Sequence, residues 1–246
     1  MRLLLIGHGR MGRLVEALAP KYGFEVAGVL EVESNAGGAG VTAERCRGVD
    51  VAVDFSTAEA TLATAPRLAA HGVSLVVGTT GWQAGEGELR EAVAQAGIGA
   101  VVAANFSLGA TVLDALAEAA GRLLGGAEAY GAFIHEAHHS AKKDAPSGTA
   151  LMLRRALERG QYPRPVDVSS TRAGHIPGTH TVGFDGPAET LALVHTVRDR
   201  ATFAHGALAA ARWVVGKKGW FGMRDVLSSR GAPFESGAEG SANTTR

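Results

Sequence analysis

The opening of the chain, "RLLLIGHGRMGRLVEALAPKYG", constrains the fold more than any other stretch. "RLLLI" is a short, continuous apolar run, the pattern of a parallel strand buried on both faces. Gly7, His8, Gly9, Arg10, Met11 and Gly12 then read G-x-G-x-x-G. Leu14, Val15 and Leu18 follow at helical spacing until Pro20 and Gly23 end the helix. Strand, glycine turn and helix in that order begin a dinucleotide-binding βαβ unit. Such a turn brings backbone and unpaired helix N–H groups against a pyrophosphate. Glu31 closes the next apolar run, "FEVAGVLE", where an acid takes the ribose hydroxyls of an adenosine. In a chain with 34 glycines the pattern alone is weak, and a plain turn beside a solvated glutamate is the alternative.

The rhythm continues through residue 106. "VDVAVDFS" and "VSLVVGTTG" read as strands separated by a helix from Thr57 to His71. "ELREAVAQAG" is an amphipathic helix and "GAVVAANFS" a further strand. Alternation of this kind predicts a doubly wound parallel α/β sheet. Its ligand edge lies at the C-terminal ends of the strands. There Gly78, Thr79 and Thr80 offer small side chains and backbone polar groups. Ala104, Asn105 and Phe106 offer an amide and an aromatic ring for a nicotinamide.

After Ser107 the pattern changes. A helix from Ala110 to Leu124 leads to a strand, "AYGAFIHEAHH", and a helix, "GTALMLRRALERG". "VDVSSTRAG", "HTVGFDG" and "AETLALVHTVRD" then read as successive strands, predicting a central α+β domain with an open mixed sheet. "TFAHGALAAARWVVG" is a last long helix, and "WFGMRDVL" is placed back in the first domain. The expected division is residues 1–106 plus about 207–228, a second domain over 107–206, and a disordered Gly/Ser-rich tail over 229–246. Zero formal net charge gives no reason to expect nucleic acid or an anionic membrane as partner. The single Cys46 excludes an intrachain disulfide and a cysteine zinc site. "LLLI" is too short for a signal peptide or a membrane span, so the expected location is cytoplasmic.

The chemistry concentrates in "EAHHSAKKDAPSGTA", which holds two of only five lysines. Ser147 is a good helix N-cap after Pro146, leaving Gly148, Thr149 and Ala150 to present orphan N–H groups. A helix start with a hydroxyl and nearby ammonium suits a carboxylate. His138, His139 and Lys142 supply proton donors. A charged surface turn is the alternative. No metal is expected, because neighbouring histidines on a strand point opposite ways and no carboxylate looks well spaced.

The same stretch resembles the signature of the dihydrodipicolinate reductase family. "GRMGR", "VDFST", "VVGTTG", "AANFSLG", "TRAG", "TFAHGAL" and "GMRDVL" follow in that family's order, over about residues 1 to 227. The resemblance implies hydride transfer from NADH or NADPH to a cyclic dicarboxylate, in a homotetramer. It implies that His138 and Lys142 are catalytic and that His139, Ser147, Gly148 and Thr149 hold substrate. Gly7 to Gly12, Glu31, Gly78 to Thr80 and Ala104 to Phe106 would then line the cofactor. Val32 stands where the family often has an arginine for the 2′-phosphate of NADPH, so NADH is expected to serve at least as well. Another two-domain dehydrogenase and a nucleotide-sensing module are the competing functions. For the first, an amino-acid or aldehyde dehydrogenase, the lack of a nucleophilic cysteine near the cluster disfavours the aldehyde case; the second has no need of proton donors there.

Overall fold

The protein is seen in a computed structural model that describes residues 1–31 and 33–229. Val32 and residues 230–246, most of the expected tail, lie outside the described residues. The chain divides into two compact units, one of Met1–Ala103 with the segment from Ala204 onward, the other Ala104–Phe203.

The first unit contains β1 (Arg2–Ile6), α1 (Arg10–Leu18), β2 (Glu25–Leu30), α2 (Ala43–Cys46), β3 (Val51–Asp54), α3 (Ala58–Ala70), β4 (Ser74–Val77), α4 (Glu86–Ala96) and β5 (Gly99–Val102). The second holds α5 (Leu108–Leu124), β6 (Gly131–His138), α6 (Gly148–Arg159), β7 (Val166–Arg172), β8 (Thr179–Asp185) and β9 (Thr190–Thr196). From there α7 (Ala201–Val214) leads back to β10 (Gly219–Phe221) and α8 (Met223–Ser228).

The first sheet runs β10-β5-β4-β3-β1-β2 with every pair parallel. Leu3, Leu4, Leu5 and Ile6 are all buried, as expected where helices cover both faces. The chain winds one way from β1 to β2 and the other way from β1 to β3. A crevice therefore opens beyond the ends of β1 and β3, the usual ligand position in such sheets. "WFGMRDVL" does return to this unit, where β10 extends the sheet beside β5.

The second unit is a mixed sheet, β7-β6-β8-β9, parallel only between β6 and β7. The fold class read from the sequence therefore stands. Helices α5 and α6 cover one face, with Leu113, Ala117, Leu153 and Leu157 packed on Ile134, Val182 and Phe184. Arg159 ties the two helices through Asp114 at 2.9 and 3.0 Å and Glu118 at 3.0 Å. On edge strand β9, Val194 and Leu191 are exposed at 60% and 44%.

Caps explain the small differences in helix bounds. α5 begins at Leu108 rather than Ala110 because Ser107 Oγ accepts the Ala110 amide at 3.2 Å. α3 is one residue shorter at each end, with Thr57 as its cap. α2, not anticipated, has four residues and no periodicity to read; Thr42 caps it.

Candidate active site

In the first unit the glycine turn is built as the spacing requires. Gly7 has φ +84°, and a Cβ on Gly12 would lie 2.2 Å from the Gly7 carbonyl oxygen, so helix and strand close only with glycine there. A Cβ on Gly9 would meet nothing within 4 Å. Gly9 caps α1 without any side-chain hydrogen bond, so the first-turn amides are left for an incoming group. Arg10 is exposed and Met11 half-buried. His8 reaches two acids, Glu16 at 2.7 Å and Glu31 at 3.2 Å, and half of the Glu31 side chain is exposed. This is a fitting cradle for a dinucleotide: open space, unpaired amides and an accessible acid at the end of β2.

Asp54, at the end of β3, was not singled out from the sequence. It is buried and accepts from Ser56 N (2.9 Å), Ser56 Oγ (2.5 Å), Thr61 Oγ1 (2.7 Å) and Thr79 Oγ1 (3.0 Å). Burial pushes its pKa up, against the pull of those bonds. Asp54 thereby pins the "GTTG" loop. Thr79 is buried and committed to it, whereas Thr80 is exposed.

Asn105 and Phe106 belong with the second unit. Asn105 donates to Thr149 Oγ1 at 3.2 Å and accepts the Ser107 amide at 2.8 Å. Phe106 is 1% exposed, which corrects the expectation of a ring open to a nicotinamide. An aromatic flanked by Asn and Ser reads as a loop residue, but packing claims it.

In the second unit, strand period two puts Ile134, Glu136 and His138 on one face of β6. Arg172 pairs with His138 across β7, and His180 pairs with Glu136 across β8. Arg172 donates to Glu136 twice, at 2.9 and 2.6 Å, and the Ser147 amide donates at 3.2 Å. His138 Nδ1 meets the same carboxylate. Ser147 caps α6 by accepting the Ala150 amide at 3.1 Å, and its hydroxyl also lies 2.9 Å from His180 Nε2. Lys142 Nζ is 2.8 Å from Asp144; Lys143 is exposed. His139 lies just past the strand, where its carbonyl accepts the Lys142 amide at 3.1 Å. Gly148 is exposed and Thr149 half-buried at the helix start.

The electrostatics follow from this packing. Burial alone would raise Glu136, but Arg172, Ser170, His138 and the Ser147 amide hold it at about 2. Burial pushes His180 down to about 4, helped by His138. Burial also lowers His138; Glu136 pulls it up while Lys142 and Arg172 push it down. Glu136, His138 and His180 bring ligand atoms within 4.8 Å of one another, as a metal centre would. The Arg172 guanidinium is already seated on both Glu136 oxygens, so a metal cation would meet a fixed positive charge. The expectation that no carboxylate is well spaced near His138 is corrected: Glu136 is, and a lone acid two residues back on the same strand face was its signal.

The family model described as "Dihydrodipicolinate reductase, N-terminus" matches residues 1–106, and its C-terminal companion matches residues 109–227. The chain belongs to the dihydrodipicolinate reductase family. Its 4-hydroxy-tetrahydrodipicolinate reductase relatives include one from Laribacter hongkongensis, 37% identical over 94% of this chain and 99% of that protein. Another, from Thiobacillus denitrificans, is 39% identical over 89% and 95%. Among solved structures, a dipicolinate-bound dihydrodipicolinate reductase from Paenisporosarcina superposes with a TM-score of 0.76. It covers 92% of this chain and 99% of its own at 20% identity, and so bears on fold alone. A dihydrodipicolinate reductase is an oxidoreductase with a nicotinamide cofactor, and the glycine cradle of the first unit fits one. Among the described residues no helix is long and apolar enough to cross a membrane.

Proposed function

We infer that the chain catalyses NAD(P)H-dependent reduction of 4-hydroxy-tetrahydrodipicolinate to tetrahydrodipicolinate, a step towards diaminopimelate and lysine. In net terms a hydride replaces hydroxide on the ring, and one proton turns the hydroxide into water. The nicotinamide supplies the hydride. The first unit binds its carrier: α1 takes the pyrophosphate at Gly9 to Gly12, Glu31 takes ribose hydroxyls, and Gly78 to Thr80 offer backbone groups to the ring end. In the second unit, Ala104 and Asn105 offer backbone groups for the same cofactor.

The second unit handles the dicarboxylate and the proton. Its carrying observation is the Ser147-capped start of α6, which leaves the Gly148 and Thr149 amides without helical partners beside His138, His139 and Lys142. One substrate carboxylate docks on those amides and the Thr149 hydroxyl, with His139 alongside. Lys142 and His138 move the proton. Self-association through the open face of the β7-β6-β8-β9 sheet into a homotetramer, in the cytoplasm, completes the reading. The exposed Val194, on the face of β9 turned away from the α5 and α6 core, supports that assembly.

Glu31 also bears on cofactor choice, because its carboxylate repels a 2′-phosphate. NADH is expected to bind at least as tightly as NADPH. The test is absorbance loss of each cofactor with the cyclic dicarboxylate, against amino-acid and aldehyde controls, plus calorimetric binding of both cofactors. Turnover with the cyclic substrate alone is expected. NADPH binding tenfold tighter, about 1.4 kcal/mol, overturns the cofactor assignment. Turnover with amino acids instead overturns the substrate.

A further inference from the structure

Glu136 has no solvent exposure, and neither substrate nor cofactor binding makes use of it. A buried carboxylate is costly unless its lone pairs are matched, and a hydrophobic residue of similar size often serves stability as well. Its presence near the C-terminal end of β6 therefore asks for a reason beyond packing. Glu136 is matched by two Arg172 nitrogens, the Ser147 amide, His138 Nδ1 and the Ser170 side chain. Arg172 is itself anchored, donating at 2.6 Å to the Asp144 carbonyl. An ionised carboxylate only accepts, so the bond to His138 requires the proton on Nδ1.

The rest of the pocket agrees. The His180 ring stands edge-on to His138 at 5.0 Å and 71°, which fixes the plane of the ring. A Cβ on Gly178, which has φ +127°, would lie 3.2 Å from both Cδ2 and Nε2 of His138, so a glycine keeps that edge clear. The groups facing His138 are Glu136 on β6, Arg172 on β7, His180 on β8, and Lys142 and Asp144 in the following loop.

We propose that Glu136 is a positioning residue for the proton transfer: clamped by Arg172, it holds His138 in the Nδ1–H form and leaves Nε2 as the nitrogen that exchanges a proton with the substrate. The inference rests on the reading of His138 as a proton-handling group. Glu136 adds a second effect. Its charge favours imidazolium while Arg172 and Lys142 oppose it, so removing that charge leaves the two cations unbalanced and makes His138 harder to protonate.

The test combines nitrogen-15 NMR of the histidine rings with kinetics on the full chain. In the unaltered enzyme at pH 7.5, His138 is expected to carry its proton on Nδ1, its signals identified by their loss in His138→Asn. In Glu136→Gln its titration midpoint is expected to fall by about one unit or more, and kcat by about a hundredfold or more, within the range that general acid–base catalysis supplies. NADH affinity and KM should stay within about twofold, because Glu136 touches neither ligand. In a His138→Ala background, Glu136→Gln should change kcat by less than about twofold, because its partner is already gone. A proton on Nε2 in the unaltered enzyme overturns the proposal, and that measurement needs no variant to fold. An unmoved midpoint in Glu136→Gln, or an equal loss in both backgrounds, overturns it too. His138→Ala with near-normal kcat overturns the reading of His138 itself, whatever its tautomer.

Discussion

The two units each hold a glutamate against a histidine, and the pairs are opposites. In the first, Glu31 is 52% exposed and touches His8, which also holds Glu16. In the second, Glu136 is fully buried and bonded by Arg172, Ser170, His138 and the Ser147 amide. Water screens the first pair, so its contact is worth little and is easily exchanged for a ribose hydroxyl. The second cannot dissociate without stranding a buried charge. An acid that must trade partners with a passing ligand sits at a surface, and an acid that sets the geometry of another side chain sits in a core.

The sharpest way to test that division is within the cation cluster. Lys142 is partly buried and Lys143 is exposed. Lys142→Ala removes an acid and a carboxylate partner, so kcat/KM should fall by about three orders of magnitude while NADH affinity is unchanged. The Lys142 contact to Asp144 does not lock it away, since Asp144 is itself 57% exposed. Lys143→Ala should change kcat/KM by less than about threefold. Steady-state kinetics decides. Equal damage from the two substitutions would make the cluster an electrostatic funnel for a dianion rather than a seat of proton transfer.

Acid stability separates the units next. The depressed pKa of Glu136, about 2 against an ordinary 4.5, contributes stability above 4.5 that is lost as pH falls towards 2. His180, at about 4 against 6.5, works in the same sense. Between pH 6.5 and 4 its unfolded form takes up a proton that the folded form refuses, so stability falls with falling pH. Each such group contributes a slope of at most about 1.4 kcal/mol per pH unit. The lowered His138 and His195 add to it. Denaturant melts should therefore lose stability from pH 7 to 4, and His180→Asn should make that slope shallower while leaving the loss below pH 4.5 in place. An unchanged slope in His180→Asn would mean that His180 is hydrated and titrates freely.

The same contrast governs what the sequence reveals. Strands buried on both faces leave continuous apolar runs, so β1, β3 and β4 are legible as they stand. The glycine turn is legible because sterics permits nothing else at Gly12, and the helix start at Ser147 because capping is local. The Glu136 network is not local. Arg172 reaches it from 36 residues away, through a strand pairing that no nearby pattern encodes. Asp54 escaped notice likewise, since its Thr79 partner belongs to the next strand's loop. Phe106 misled in the opposite direction: a loop-like neighbourhood suggested an open ring, and the core took it.

The smallest expected effects lie on the exposed pair. Glu31→Ala removes charge-assisted bonds to the ribose, typically worth about 1.5–3 kcal/mol, so NADH affinity should fall by about tenfold or more with kcat little changed. The same change lifts the repulsion of a 2′-phosphate, so NADPH should lose less or gain. His8→Ala is milder still. His8 lies in the turn that lines the cofactor, but its ring is taken up by Glu31 and Glu16 through contacts open to water. Its loss should shift the NADH dissociation constant by less than about threefold, and the shift should shrink further at high salt. Calorimetry at two ionic strengths measures both variants. If His8→Ala instead matches Glu31→Ala and ignores salt, then Glu31 needs its histidine as firmly as His138 needs Glu136, and the contrast between an exchangeable pair and a locked one is lost.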